Sequence, residues 1–158
     1  MFFFPTDTLK LVLVDERGNE LWRRDLGSGV VPGIWFCPVF PFDLNGDGVD
    51  EIWFVNTVNA DHPLGLSGYR LTRLDASTGK TTGEWPWPAP GPRRSLSHTF
   101  RNFIVGGMVH NRPVLVTAQG TYGDMYLQGW NADMTSRWEH VVAASDPGAR
   151  GSHMCPVV

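Results

Sequence analysis

Leu71-Thr72-Arg73-Leu74-Asp75-Ala76-Ser77-Thr78-Gly79 runs on to a second stretch that carries Trp85. It reads as a strand, a polar turn and a return strand. Apolar and polar residues alternate, and an Asp stands ahead of a Gly-containing turn, which is hairpin chemistry. The pattern occurs twice more. Leu11-Val12-Leu13-Val14-Asp15 leads to Gly18 and Trp22, and Leu127-Gln128-Gly129-Trp130-Asn131 leads through Asp133 to Trp138. The interval is 60 residues from Asp15 to Asp75 and 58 from Asp75 to Asp133. A fixed period of this size marks a repeat architecture.

The stretches between the hairpins repeat as well. Cys37-Pro38-Val39-Phe40 matches Cys155-Pro156-Val157-Val158 at similar distances from Trp22 and Trp138. The match reads Gly151-Ser152-His153-Met154 as native sequence. It also sets the two cysteines at equivalent points of successive units, well apart, which argues against a disulfide. Each unit holds about four short strands, and no window sustains a 3.6-residue period. The sequence therefore predicts an all-β chain, a partial β-propeller of about two and a half to three four-stranded antiparallel blades. Residues 1–158 form one propeller fragment, with repeat units at roughly 9–66, 67–123 and an incomplete 124–158. A β-sandwich is the competing arrangement. Closed propellers need about four to eight blades. Open sheet edges are thus expected, with the remaining blades of a longer chain, or a second copy, as partners.

Composition narrows the function. In 158 residues, 42% are apolar and 18% charged, with nine Phe, seven Trp and three Tyr, which excludes a disordered tail. Net charge is −3 and no basic stripe stands out, so nucleic acid is not an expected partner. No apolar run reaches the 18 or so residues of a membrane span, so no membrane partner is expected. Met1-Phe2-Phe3-Phe4 meets Pro5 at once, too short for the apolar core of a signal peptide.

One segment carries specific chemistry. Asp43-Leu44-Asn45-Gly46-Asp47-Gly48-Val49-Asp50-Glu51 spaces oxygen donors for a calcium ion. Asp43, Asn45 and Asp47 supply side-chain oxygens, Val49 its carbonyl, and Glu51 closes the shell, while Gly46 and Gly48 allow the sharp turn. Phe54 stands where an EF-hand has its twelfth-position ligand, and Ile52-Trp53-Phe54-Val55 reads as a strand. The site is therefore strand–loop–strand, with calcium cross-linking a turn and Asp50 facing solvent. In the next unit Val109-His110-Asn111-Arg112-Pro113 holds the corresponding turn, with too few carboxylates for calcium.

This loop resembles the FG-GAP-like calcium repeats of β-propellers. More closely, the chain resembles the rhamnogalacturonan lyases of polysaccharide lyase family 11 over most of residues 9–158. The resemblance runs through Leu21 to Gly27, the calcium loop, the Asp75 to Gly79 turn, Phe103-Ile104-Val105-Gly106-Gly107, Arg112 to Val116, and Asp146 to Met154. It implies a secreted, calcium-dependent propeller that cleaves acidic pectic polysaccharide by β-elimination. Such a lyase needs a base for the proton α to a uronate carboxylate and a cation to neutralise that carboxylate. His153 sits where the family keeps a His, and His98 follows a Pro- and Arg-rich loop; both are candidate catalytic residues. Departures fall on the substrate side. From Ser97 to Phe103 the family tends to show Asn-Arg-x-Asp-Arg-Phe, of which Phe103 survives, and Gln119 stands where the family carries Arg.

The candidate substrate contacts are Trp87, Arg93, Arg94, Gln119 and Tyr122. Trp87, in Trp85-Pro86-Trp87-Pro88, is expected as an exposed stacking platform, and Arg93-Arg94 would greet an anionic polymer. Trp35, Trp53, Trp85, Trp130 and Tyr122 could also stack on sugars, but Trp22, Trp85 and Trp138 recur at one place in the repeat and read as blade core. Cys37 reads as a small buried hydrophobe. Two functions remain open: a rhamnogalacturonan lyase-like chain, or a non-catalytic propeller segment that binds carbohydrate or protein as a scaffold.

Overall fold

The computed structural model describes residues 7–30, 33, 35–57, 69–87, 101–121 and 123–146. Ten strands and no helix occur among them. Strands β1 (Lys10–Val14) and β2 (Glu20–Asp25) make a two-stranded hairpin. Strands β3 (Val39–Phe42), β4 (Glu51–Thr57), β5 (Tyr69–Asp75) and β6 (Thr81–Pro86) pair in chain order as one antiparallel sheet. Strands β7 (Asn102–Val109), β8 (Arg112–Gln119), β9 (Met125–Trp130) and β10 (Ser136–Val142) make a second sheet in the same manner. The hairpin occupies the place that β5–β6 and β9–β10 hold in the complete sheets. Among the described residues the architecture is all-β, a partial propeller with one hairpin and two four-stranded sheets.

The repeat is visible in the hairpin turns. Asp15 Oδ1 accepts the Arg17 and Asn19 amides at 2.9 and 2.8 Å. Asp75 Oδ1 accepts the Thr78 amide at 2.8 Å and the Ser77 hydroxyl at 2.6 Å. In the third turn Asn131 takes the place of these two, its amide bonded to the Thr135 carbonyl at 3.0 Å, and Asp133 caps from inside by accepting the Thr135 amide. Gly18 and Gly79 adopt φ of +84° and +67° there, whereas the third turn places Met134 at +62°. Met134 is buried in the core, which offsets the strain of a left-handed residue with a side chain. All three hairpins carry a bulge beside the turn. The sequence repeat and the sheets are out of phase by two strands: a unit opens on the last two strands of one sheet and continues into the first two of the next.

Two apolar layers hold the sheets face to face. Leu44, Trp53, Val55, Leu71 and Trp87 from the first sheet and its connections meet Ile104, Leu115, Trp130 and Met134 from the second. On the other side of the first sheet, Phe54 and Leu74 meet Cys37 and Val30, with Leu11 and Trp22 of the hairpin packed against them. Strand β4 is thus covered on both faces, which is why Ile52-Trp53-Phe54-Val55 is apolar without alternation. Each fully buried side chain of this size contributes about 1.5–3 kcal/mol. Trp22 also ties the hairpin to its neighbour: its indole donates to the Ala76 carbonyl at 2.8 Å, and Arg24 donates to the Gly79 carbonyl at 3.0 Å. Where the sheets approach, the Phe42 ring lies 2.4 Å from where a Cβ on Gly106 would sit.

Candidate functional site

The oxygen-rich loop joins the end of β3 to the start of β4, as the spacing predicts. Gly46 and Gly48 adopt φ of +79° and +89°, turning the chain inward. Asp43 is satisfied by the backbone it encircles: Oδ1 accepts the Gly46 and Asp47 amides at 2.7 and 3.1 Å, and Oδ2 the Gly48 amide at 2.8 Å. Asp47 Oδ1 accepts the Val49 amide at 2.8 Å. Glu51 is buried, and its Oε2 accepts the Leu44 amide at 3.0 Å. Asp50 is exposed.

The Asn45 side chain sits at the focus of this loop. Its Nδ2 donates to Asp47 Oδ2 at 3.0 Å and to Glu51 Oε1 at 2.8 Å. Two carboxylates therefore converge on one point, held by an amide that carries an oxygen at its other end. Burial raises the Glu51 carboxyl above the ordinary carboxylate range; the Leu44 amide and Arg73 pull it back, and Asp43 and Asp47 push it further up. Among the described residues, no three His, Cys, Asp or Glu side chains stand together as a ready metal cage. The donor set is nevertheless all oxygen once the Asn45 amide turns over, at the loss of its 2.8 Å bond from the Asp47 amide. Such a set suits a hard cation. Beside it opens a cleft of about 180 Å³, lined by Asp47, Asp50, Glu51, Arg73, Asp75 and Thr82. Arg73 lies over the Trp53 and Trp85 rings, with its Nε fixed by the Thr82 hydroxyl at 2.9 Å. At the same end of the second sheet, His110 and Asn111 make a tight turn with φ of +50° and +60°, with no carboxylate in it.

At the opposite end, β3 and β7 begin and β4, β6 and β8 end. Asn102 is the hub there. Its amide donates to the Trp35 carbonyl at 3.0 Å, and its Nδ2 to the Phe36 carbonyl at 3.0 Å. Its Oδ1 accepts the Trp87 indole at 3.1 Å. This bond turns Trp87 inward: it is 6% exposed and belongs to the core between the sheets, not to the exposed platform expected of it. Gln119 is likewise buried, at 1% exposure, on an inner strand between Asn102 and Tyr126, and is not presented at a surface. Trp53 and Trp130, also considered for sugar stacking, are buried too, whereas Trp138 stays 40% exposed over Gly129 rather than forming core. His98, His153, Arg93, Arg94 and Tyr122 lie outside the described residues. Asn102 and Arg101 escaped the sequence reading. The available signal was their place beside Phe103, in a stretch where the resembled family carries basic residues.

No family model matches the chain. No curated protein matches it either. Solved structures do. The exotype rhamnogalacturonan lyase YesX superposes with a TM-score of 0.73 at 21% identity, covering 92% of this chain and 28% of the lyase. Rhamnogalacturonan Lyase PL11 of Bacillus licheniformis gives 0.71 at 22% identity, covering 91% and 29%. Rhamnogalacturonan lyase YesW gives 0.70 at 22% identity, again covering 91% and 29%. The chain thus has the fold of part of a rhamnogalacturonan lyase and spans less than a third of the length of those it matches.

Proposed function

We propose that this chain is a calcium-binding propeller segment, working outside the cell, that handles an acidic pectic polysaccharide. The observation that carries the reading is the fold likeness to rhamnogalacturonan lyases over about nine-tenths of the chain. The loop from Asp43 to Glu51 supports the calcium part, with Asp43, Asn45, Asp47 and Glu51 side chains and the Val49 carbonyl as ligands. Bound calcium supplies the countercharge for three carboxylates in one turn and cross-links β3 to β4. In the lyase form of the proposal, His153 and His98 are the catalytic residues of β-elimination, each as base or uronate contact.

A second reading, a non-catalytic binding scaffold, is favoured by Gln119, which stands where the resembled family carries Arg and is neutral and buried. Incubation with rhamnogalacturonan and calcium separates the readings. A rise in ultraviolet absorbance from an unsaturated uronide supports the lyase. Retardation in a gel containing the polymer, without that rise, supports the scaffold. Neither effect, in folded protein, overturns the polysaccharide reading.

A further inference from the structure

The described arginines differ in how their side chains are used. Arg23 is paired with Glu20, Arg24 with the Gly79 carbonyl, and Arg73 with Thr82. Arg17 and Arg112 lie exposed at turns. Arg101 is different. Its guanidinium lies 3.6 Å over the Trp35 ring, and among the described residues no carboxylate pairs with it. Both residues are pinned through their backbones: the Arg101 carbonyl accepts the Gly120 amide at 3.0 Å, and the Trp35 carbonyl accepts the Asn102 amide at 3.0 Å. Trp35 is 43% exposed, so the stack is open to solvent. It stands at the end of the sheets away from Asp43, Asp47, Asp50 and Glu51.

An arginine laid flat on an indole loses little entropy when it binds, because the ring already fixes its plane. Its N–H donors lie at the edge of that plane, in the fork that matches a carboxylate. We propose that the Arg101–Trp35 stack is an anchor for the carboxylate of a uronate residue in an acidic glycan. This rests on the polysaccharide reading above and specifies which group of the polymer is recognised. The chemistry disfavours neutral sugars as the determinant, since Arg101 already covers one face of Trp35.

The test is calorimetric titration with rhamnogalacturonan oligosaccharides, and with the same oligosaccharides after their carboxyl groups are reduced to alcohols, in one calcium-containing buffer. Wild type is expected to bind the acidic form more tightly. Arg101→Gln should weaken binding of the acidic form about tenfold or more, as loss of a charge-assisted bond does, and leave the reduced form within about twofold. Arg101→Lys, which keeps the charge but not the fork, should fall between. Equal weakening for both forms, or no weakening for the acidic one, overturns the anchor and leaves the polysaccharide reading standing. Wild type that binds neither form overturns both.

Discussion

Asn102→Ala removes the side chain that joins the β2–β3 and β6–β7 connections at one end of the sheets. The Trp87 indole N–H, buried between the blades, loses its acceptor at 3.1 Å, and the Phe36 carbonyl loses a donor at 3.0 Å. Stranding a buried donor costs about 1–3 kcal/mol and losing an ordinary hydrogen bond about 0.5–1.5 kcal/mol, so the sum is about 3 kcal/mol. For a chain of this size, each kcal/mol shifts Tm by roughly 2–4 °C, giving a fall of roughly 6–12 °C. Asn102→Asp keeps an acceptor for Trp87 but buries a carboxylate against the Phe36 carbonyl with no donor between them, so at neutral pH it should fall at least as far as Asn102→Ala. Circular dichroism melts with tryptophan fluorescence alongside measure both variants. A melting temperature for Asn102→Ala within about 2 °C of wild type refutes the hub.

Three further outcomes are expected. Gly106→Ala drives a methyl group into the Phe42 ring and should lower stability by about 1–3 kcal/mol in urea unfolding. Asp75 is held below the ordinary carboxylate range, first by the Ser77 and Thr78 hydroxyls and then by the Thr78 amide. The depressed value means that its contribution to stability is present at neutral pH and is lost as pH falls below the ordinary value of 3.8 through the folded one; an NMR titration of the carboxyl carbon should show the lowered midpoint. Cys37 is 5% exposed and burial pushes its thiol up to about 12, so in a Cys155→Ser background it should resist a thiol reagent at pH 8 until denaturant is added.

The hairpins were legible because their chemistry is local. Asp15 and Asp75 bond to amides within four residues, and the turn glycines follow directly. The loop from Asp43 to Glu51 was legible for the same reason: its oxygens bond to amides two to seven residues away. The period did not show which four strands share a sheet, since a repeat has no marked beginning. The burial of Trp87 depends on Asn102, and that of Gln119 on the strands that pair on both sides of β8, neither of which the residue's own neighbourhood reveals. Proline on both sides made Trp87 look like an exposed loop residue, whereas its backbone amide still bonds to Tyr69 at 3.3 Å and its indole turns inward. Arg101 carries no local signal, because Trp35, the ring it lies over, belongs to a different connection.

Calcium titration by calorimetry, on wild type and Asp47→Ala with thermal melts alongside, decides whether the loop from Asp43 to Glu51 holds a cation. One site is expected in wild type. At a calcium concentration about a hundredfold above Kd, binding adds about 2.7 kcal/mol, a rise in Tm of roughly 5–11 °C. Both effects should vanish in Asp47→Ala, which removes a carboxylate that faces Asn45. Folded wild-type protein that shows neither binding heat nor a shift in Tm would contradict calcium binding and leave the loop as a turn closed by its own amides.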